Sequence, residues 1–262
     1  MSYETLELEV REGVAHITLN RPTAANAIDL QLAKDLFYAA LQCDEDPAVR
    51  AILISGRGRL FCAGGDLASF ADAGAELPKL IKEMTTYLHA AISKLARGRA
   101  PVIASVGGPA AGAGFSLCCA VDLVVASDKA KFSMAYTGAG LTPDGSSTFF
   151  LPRIVGTRRA LDLMMTNRAL SATEALDWGL VNQVVPADEL EATSLKLATQ
   201  LAQGPTGAFG LVKKLVGCSL GDTLESQLEL EGRAIADSAR TADAREGIDA
   251  FFTKRRPKFA GC

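Results

Sequence analysis

Two glycine-rich turns are the parts of this chain best equipped for chemistry: Phe61-Cys62-Ala63-Gly64-Gly65-Asp66-Leu67 and Gly107-Gly108-Pro109-Ala110-Ala111-Gly112-Ala113-Gly114. Each follows a short apolar run, Ala51–Ile54 before the first and Pro101–Val106 before the second, and each leads into a helical pattern. Glycine lets backbone N–H groups point into a cavity and lets a ligand approach with no Cβ in the way. Two such turns can aim two N–H donors at one oxygen, the geometry of an oxyanion hole. Either turn alone is equally well explained by the sterics of a tight strand-to-helix connection. The pair, in this order, points to a site. Neither turn is a nucleotide fingerprint: the glycine spacing of the second departs from G-x-G-x-x-G, the turn lies mid-chain, and it lacks the Lys-Ser/Thr ending of a P-loop.

Other chemistries are poorly supplied. The chain has 2 histidines, His16 and His89, too few for an HExxH site or a His-rich cluster. Its 6 cysteines show no metal spacing, and the adjacent Cys118-Cys119 read as reduced, buried helix residues. No metal is expected. A net charge of −3 leaves no broad basic footprint, so nucleic acid is not an expected partner. No apolar run approaches the roughly 20 residues of a membrane span. The start carries no basic-then-apolar secretory pattern, and a cytoplasmic location is expected.

The elements that must position the turns follow from periodicity. Residues 3–20 read as a hairpin turning at Arg11-Glu12-Gly13, with His16 on its more polar face. Asp29 is placed to cap a helix running to about Gln42. Strand 49–55 precedes the first glycine turn. A long amphipathic helix over 79–97 has Leu80, Ile81, Met84, Leu88, Ile92 and Leu95 as its buried stripe. Strand 101–106, a buried helix over 112–120, and strands at 123–126 and 131–134 follow. Helices are expected over 147–155 and 158–166. Ser171-Ala172-Thr173-Glu174 is a capping box opening a helix expected to contain Trp178, and a strand at 181–185 comes next. Beyond about Asp188 only helical patterns remain, broken at Gly204-Pro205 and Gly221-Asp222. The strand–strand–helix recurrence at roughly 45–50 residues predicts stacked ββα turns rather than a doubly wound sheet. The expected division is a ββα core over 1–190 and a helical region over 191–262 that needs another surface to pack on.

The chain resembles the crotonase (enoyl-CoA hydratase/isomerase) superfamily over essentially its whole length. The resemblance rests on Leu19-Asn20-Arg21-Pro22 with Asn26-Ala27, on Phe61–Leu67, and on Pro101–Ala104 through Gly114. Leu141-Thr142-Pro143-Asp144-Gly145 and Ala175-Leu176-Asp177-Trp178-Gly179-Leu180-Val181 complete it. It implies an α/β crotonase-like ββα superhelix, a C-terminal helical trimerisation region giving a homotrimer or a dimer of trimers, and an acyl-CoA thioester substrate. No cofactor is implied beyond the coenzyme A of that substrate. The implied oxyanion donors are the N–H groups of Gly65 and Ala113. The implied CoA contacts are Ala25, Asn26, Ala63, Gly64, Asp66 and Leu67, although Asp66 reads more simply as the cap of the following helix. The basic run Lys254-Arg255-Arg256 is similar to a segment that reaches the CoA of an adjacent subunit, or is a solvated helix end.

The departures from the family decide the expected reaction. Hydratases of the family carry one glutamate at the position of Ser116 and a second at that of Tyr136, so neither acid is present here. Ser116 reads as a small helix residue and Tyr136 as a pocket wall with a hydrogen-bonding hydroxyl. Asp144 matches the working aspartate of isomerase and dehalogenase members, against the plain alternative of a Pro-Asp-Gly turn residue. His89 resembles the general-base histidine of 4-chlorobenzoyl-CoA dehalogenase, but similar histidines occur in isomerases of the phenylacetate ring-epoxide type, so it does not discriminate; the plain alternative is a structural helix histidine. The resemblance therefore implies an enoyl-CoA isomerase with Asp144 as acid and base. A dehalogenase or hydrolase using Asp144 as nucleophile and His89 as base, or an acyl-CoA-binding protein without catalysis, are the alternatives.

Overall fold

Ala15, Ile17 and Leu19 alternate inward along the second strand of an N-terminal hairpin, and the rest of the fold is laid against them. In a computed structural model describing residues 3–262, the hairpin comprises β1 (Leu6–Arg11) and β2 (Val14–Leu19). Glu12 and Gly13, both at positive φ, form its two-residue turn, the conformation that matches strand twist. Asp29 accepts from Leu32 N–H and caps α1 (Leu30–Glu45), which leads to β3 (Ala51–Gly56). After the first glycine turn come α2 (Leu67–Ala73) and the long α3 (Leu77–Arg97). Next are β4 (Val102–Val106), the short β5 (Ala110–Ala111) and α4 (Ala113–Ala120), which is buried all round. The chain continues through β6 (Leu123–Ser127), β7 (Lys131–Ser133), α5 (Ser147–Val155), α6 (Thr157–Thr166), β8 (Leu170–Ser171), α7 (Ala172–Asp177) and β9 (Gln183–Val185). Four helices close it: α8 (Leu190–Ala202), α9 (Thr206–Ser219), α10 (Leu224–Ala239) and α11 (Ala242–Phe252).

The strands form two walls. The larger sheet runs β1-β2-β3-β4-β6-β9, parallel except for the hairpin. The smaller runs β5-β7-β8, and single bridges Ile28↔Gly65 and Cys62↔Ala110 extend it toward the N-terminus. Each turn of chain therefore lays one strand in the large sheet, one short extended segment in the small wall, and then a helix. This is the ββα superhelix expected from the recurrence. β4 is buried on both faces, as its run of apolar residues, interrupted only by Ser105, requires.

Several elements differ from the sequence-based expectation. β9 begins at Gln183 rather than 181. α7 ends at Asp177, and Trp178 is its C-cap, its ring facing the guanidinium groups of Arg159 at 4.5 Å and Arg168 at 4.9 Å. A further break at Arg240-Thr241 separates α10 from α11, because Thr241 caps the new helix through Ala244 N–H. The polar face of β2 is also partly covered. Val14 joins Leu53, Ile103, Val125 and Ala198 in a second apolar layer beneath α8, so α8 packs on the sheet itself. α9, α10 and α11 instead leave Val216, Leu220, Leu224, Ile235, Phe251 and Phe252 largely exposed.

One ion pair, buried at its lysine and partly open to solvent at its aspartate, ties α9 to the body. The Lys213 ammonium, 7% exposed, lies 2.8 Å from an Asp122 oxygen and donates to the Leu95 and Ala100 carbonyls. Burial pushes the Asp122 carboxyl above its ordinary pKa, and the Lys213 charge opposes that rise. Removing the ammonium leaves the Leu95 and Ala100 carbonyls without their donor. Lys213→Met is expected to lower unfolding stability by about 1.5 kcal/mol. A shifted urea midpoint with an unchanged slope would register it, and adding Asp122→Asn should recover part of the loss.

Candidate active site

The two glycine turns meet backbone to backbone. A Cβ built on Gly64, where φ is +98°, would lie 3.0 Å from the Ala111 carbonyl, 3.2 Å from Gly112 Cα and 3.4 Å from Ala113 N. A Cβ on Gly112 would lie 3.3 Å from Gly64 Cα. Hydrogen in place of a side chain at both positions permits this approach. On its other side the first turn is held by Ile28, whose N–H donates to Gly64 O at 2.7 Å and whose carbonyl accepts from Asp66 N–H at 2.9 Å. That pairing directs the Gly65 N–H away from Ile28. Ala113 opens α4, where the first-turn N–H groups have no partner within the helix and the helix dipole favours negative charge. Gly65 and Ala113 border the same cavity.

That cavity encloses about 360 Å³. Ile28, Phe70, Ile81, Met84 and Leu88 make its apolar wall, and Leu67, 58% exposed, stands at its mouth. Asp144 is the carboxylate that lines it. The Asp144 side chain is 30% exposed and does not cap a helix, since α5 is entered through Ser146 with no side-chain cap. The turn is built by the Asp144 carbonyl, which accepts from Ser147 N–H at 3.2 Å and from the Ser147 hydroxyl at 2.9 Å. The carboxylate is thus left for the cavity and for His89, whose Nε2 lies 3.3 Å from Asp144 Oδ2.

Ser116 and Tyr136 touch. Their hydroxyl oxygens are 2.9 Å apart, and Ser116 also donates to the Gly112 carbonyl at 3.2 Å. Burial, reinforced by the Asp144 charge, pushes the Tyr136 pKa far up, so its hydroxyl keeps its proton. Gly145, at φ +59°, presses so closely on Ser116 that a Cβ there would sit 3.0 Å from Ser116 Cβ. The Asp144 loop therefore rests on the small residue at 116.

Of the sequence-predicted residues, Ala63, Gly64, Gly65, Leu67, Ala113, Tyr136 and Asp144 line the cavity, and His89 adjoins it through Asp144. Three others stand behind it. Ala25 is tied to Ala63, its carbonyl accepting from Ala63 N–H at 3.1 Å. Asn26 is wholly buried, its amide donating to the Arg57, Leu60 and Phe61 carbonyls and its Oδ1 accepting from Arg21 N–H. Asp66 caps α2 through Ala68 and Ser69 N–H and pairs with Arg21 at 3.0 Å. Both side chains brace the turn rather than face the cavity. In the C-terminal basic run, Arg255 is engaged by Glu246 at 2.8 Å and Asp249 at 2.6 Å of its own chain. The sequence reading missed the lining roles of Ile28, Phe70, Leu141 and Thr142. Ile81 and Met84 were legible only as a buried stripe; the N-terminal part of that stripe walls the cavity, while Ile92 and Leu95 enter the core. Among the described residues no cluster of three or more His, Cys, Asp or Glu could hold a metal ion, and no helix is long and apolar enough to cross a membrane.

Comparison with known proteins places this geometry. Residues 9–261 match the family model described as enoyl-CoA hydratase/isomerase. The chain is 39% identical to the 1,2-epoxyphenylacetyl-CoA isomerase of Escherichia coli, over 96% of this chain and 97% of that one. It is 41% identical, over the full length of both, to a Rhodobacter capsulatus protein described as a probable enoyl-CoA hydratase. It is 37% identical to 4-chlorobenzoyl coenzyme A dehalogenase-2 of an Arthrobacter species, over 95% and 91% of the two chains. The crystal structure of an enoyl-CoA hydratase from Polaromonas sp. JS666 superposes with a TM-score of 0.92 at 33% identity, covering 97% of this chain and 99% of that one.

The bracing of the first turn is open to test. Asn26→Ala strands buried carbonyls, and stability should fall by about 2 kcal/mol. Because those carbonyls belong to the segment that carries Gly65, turnover should fall on the order of a hundredfold, the cost of a small misplacement of catalytic groups. Chemical denaturation and steady-state kinetics check the two arms, and lowered stability with full turnover would confine Asn26 to folding.

Proposed function

From the chain's membership of the enoyl-CoA hydratase/isomerase family, and so of a group of acyl-CoA enzymes, we propose that it is an enoyl-CoA isomerase in which Asp144 moves the proton. The observation that carries this reading is Asp144 itself, the one carboxylate lining a cavity that also holds both glycine-turn donors. The thioester oxygen accepts from Gly65 N–H and Ala113 N–H. Asp144 takes a proton from C2 of a 3-enoyl thioester, the two donors hold the dienolate oxygen, and a proton is returned at C4. Each donor is worth about 3 kcal/mol to such a transition state. One carboxylate suffices because the reaction takes up and gives back one proton.

Adding water to a double bond asks for more. It needs a group to activate water and a group to protonate carbon, and the two positions where the family's hydratases carry glutamates hold a serine and a tyrosine bonded to each other. Neither hydroxyl is ionised near neutrality, and burial with the Asp144 charge pushes the Tyr136 hydroxyl further from ionising. Similarity to relatives named as an isomerase, a dehalogenase and a hydratase leaves the family common to all and the reaction to be decided by these residues.

The His89–Asp144 contact also supports a second reading, in which Asp144 attacks an aroyl-CoA ring carbon and His89 activates the water that releases the product. The exposed apolar side chains of α9–α11 support assembly into a trimer or a dimer of trimers. A cytoplasmic location, and no cofactor beyond the substrate's coenzyme A, belong to the same reading.

Incubation with a 3-enoyl-CoA should give the ultraviolet absorbance of the conjugated 2-enoyl thioester. Asp144→Asn keeps volume and turn but accepts no proton near neutral pH, so turnover should fall about a hundred- to ten-thousandfold with little change in CoA affinity or melting temperature. His89→Gln sorts the chemistries: double-bond migration should survive it far better than hydrolysis of an aspartyl ester. Binding without turnover across enoyl-, dienoyl- and aroyl-CoA thioesters would make the protein an acyl-CoA carrier, and full activity in Asp144→Asn would remove both catalytic readings.

A further inference from the structure

We propose that His89 is a proton relay joining Asp144 to solvent, so that the hydrogen taken from the acyl chain is exchanged with water before one is returned. The inference rests on the isomerase reading and concerns the fate of the proton within it. Asp144 faces the apolar cavity on one side and His89 on the other. The His89 side chain is 50% exposed, whereas Leu88 beside it on α3 is 4% exposed and lines the cavity. The imidazole therefore stands between the partly exposed acid and bulk water.

The surroundings of Nε2 suit a relay. That nitrogen lies 3.3 Å from Asp144 Oδ2, an acceptor, and 3.3 Å from Gly145 N, a donor. When Nε2 carries a proton it donates to the carboxylate; when it is bare it accepts from Gly145 N–H. Either state has a partner, so passing the proton leaves neither state without a hydrogen bond. The other groups nearby do not offer this path. Tyr136 is buried and keeps its proton, and Glu83, one helical turn and a half before His89 on α3, is paired with Lys34 at 3.3 Å.

The step balances without a redox partner. The C2–H bond breaks, its electron pair passes into the dienolate, and the proton forms Asp144 O–H. That bond breaks as Nε2–H forms, giving a carboxylate and an imidazolium. The imidazolium then releases its Nδ1 proton to water. The reverse sequence brings a solvent proton through His89 to Asp144 and on to C4.

The test is the reaction of a 3-enoyl-CoA in D2O, with deuterium located by mass spectrometry in product and in recovered substrate, and with Asp144→Asn as the control for uncatalysed exchange. Wild-type protein should place deuterium at C4 of the product in most turnovers and at C2 of recovered substrate. His89→Gln, whose amide can bond to Asp144 but cannot carry a proton across, should transfer the original hydrogen, with deuterium per turnover reduced at least several-fold. Wild-type product that keeps its original hydrogen, or His89→Gln product as rich in deuterium as wild type, would overturn the relay and leave the isomerase reading standing. Catalysed C2 exchange lost in His89→Gln, with no 2-enoyl product from either protein, would support the relay and remove the isomerase reading. No catalysed exchange at either carbon would overturn the relay.

Discussion

The approach of Gly64 to Gly112 is the contact on which the site depends. Two backbones from separate turns of the superhelix lie so close that a single added carbon on either would meet main-chain atoms of the other. A main-chain atom cannot swing aside as a side chain can, so the contact fixes where Gly65 N–H and Ala113 N–H stand. The rest of the molecule holds both turns in that position. Ile28 pairs with the first turn, the Asn26 amide gathers the carbonyls leading into it, and Arg21 bridges Asp29 at 2.9 Å and Asp66 at 3.0 Å. The second turn is held by Cys62 and by the Ser133 carbonyl, through Ala111 and Gly112 N–H. Since each brace belongs to a neighbouring turn of the ββα coil, the coil itself is the scaffold of the site.

The acid is placed by a different device. Gly145 packs against Ser116, on the helix that also supplies Ala113, so the loop bearing Asp144 is registered against the same element as the proposed oxyanion donor. A long side chain at 116 would compete with that loop for space. A carboxylate at 116 would also stand in a helix with no exposed residue, an expensive place for a charge. Serine at 116 and aspartate at 144 are in this sense one arrangement rather than two independent substitutions. Tyr136 completes it, its ring filling the wall and its hydroxyl bonding to Ser116 and reaching the Asp144 carbonyl at 3.4 Å.

Local signals were legible where backbone chemistry is local. The hairpin turn, the Asp29 and Asp66 caps, the capping box of Ser171 and Glu174, and both glycine turns can be read from a few adjacent residues, and the structure realises each of them. The ββα recurrence was legible as spacing. What escaped is what depends on three-dimensional neighbours. Asn26 looks like a polar loop residue suited to a ligand, and only the fold reveals three carbonyls converging on its amide. A single amphipathic stripe on α3 serves the core at one end and the cavity at the other, and periodicity cannot tell these apart because both exclude water. The break between α10 and α11 carries no glycine or proline, only a threonine cap whose partner is fixed once the helix has formed.

That double use of α3 has a consequence for how stability and chemistry are linked. Its C-terminal half buries Ala91, Ile92 and Leu95 against the main core, so its axis is fixed by packing that has nothing to do with a ligand. Lys213 caps the end of that half by bonding to the Leu95 carbonyl. The N-terminal half extends from this anchored stem as the outer wall of the cavity, with α2, which has no buried residue, as its companion. His89 stands near the junction of the two halves. The imidazole is therefore carried next to the more deeply packed part of the helix, while the wall nearest the mouth buries few side chains. In the isomerase reading, acyl groups of different shape would be accommodated along α2 and the start of α3, away from the turn donors, Asp144 and its contact with His89.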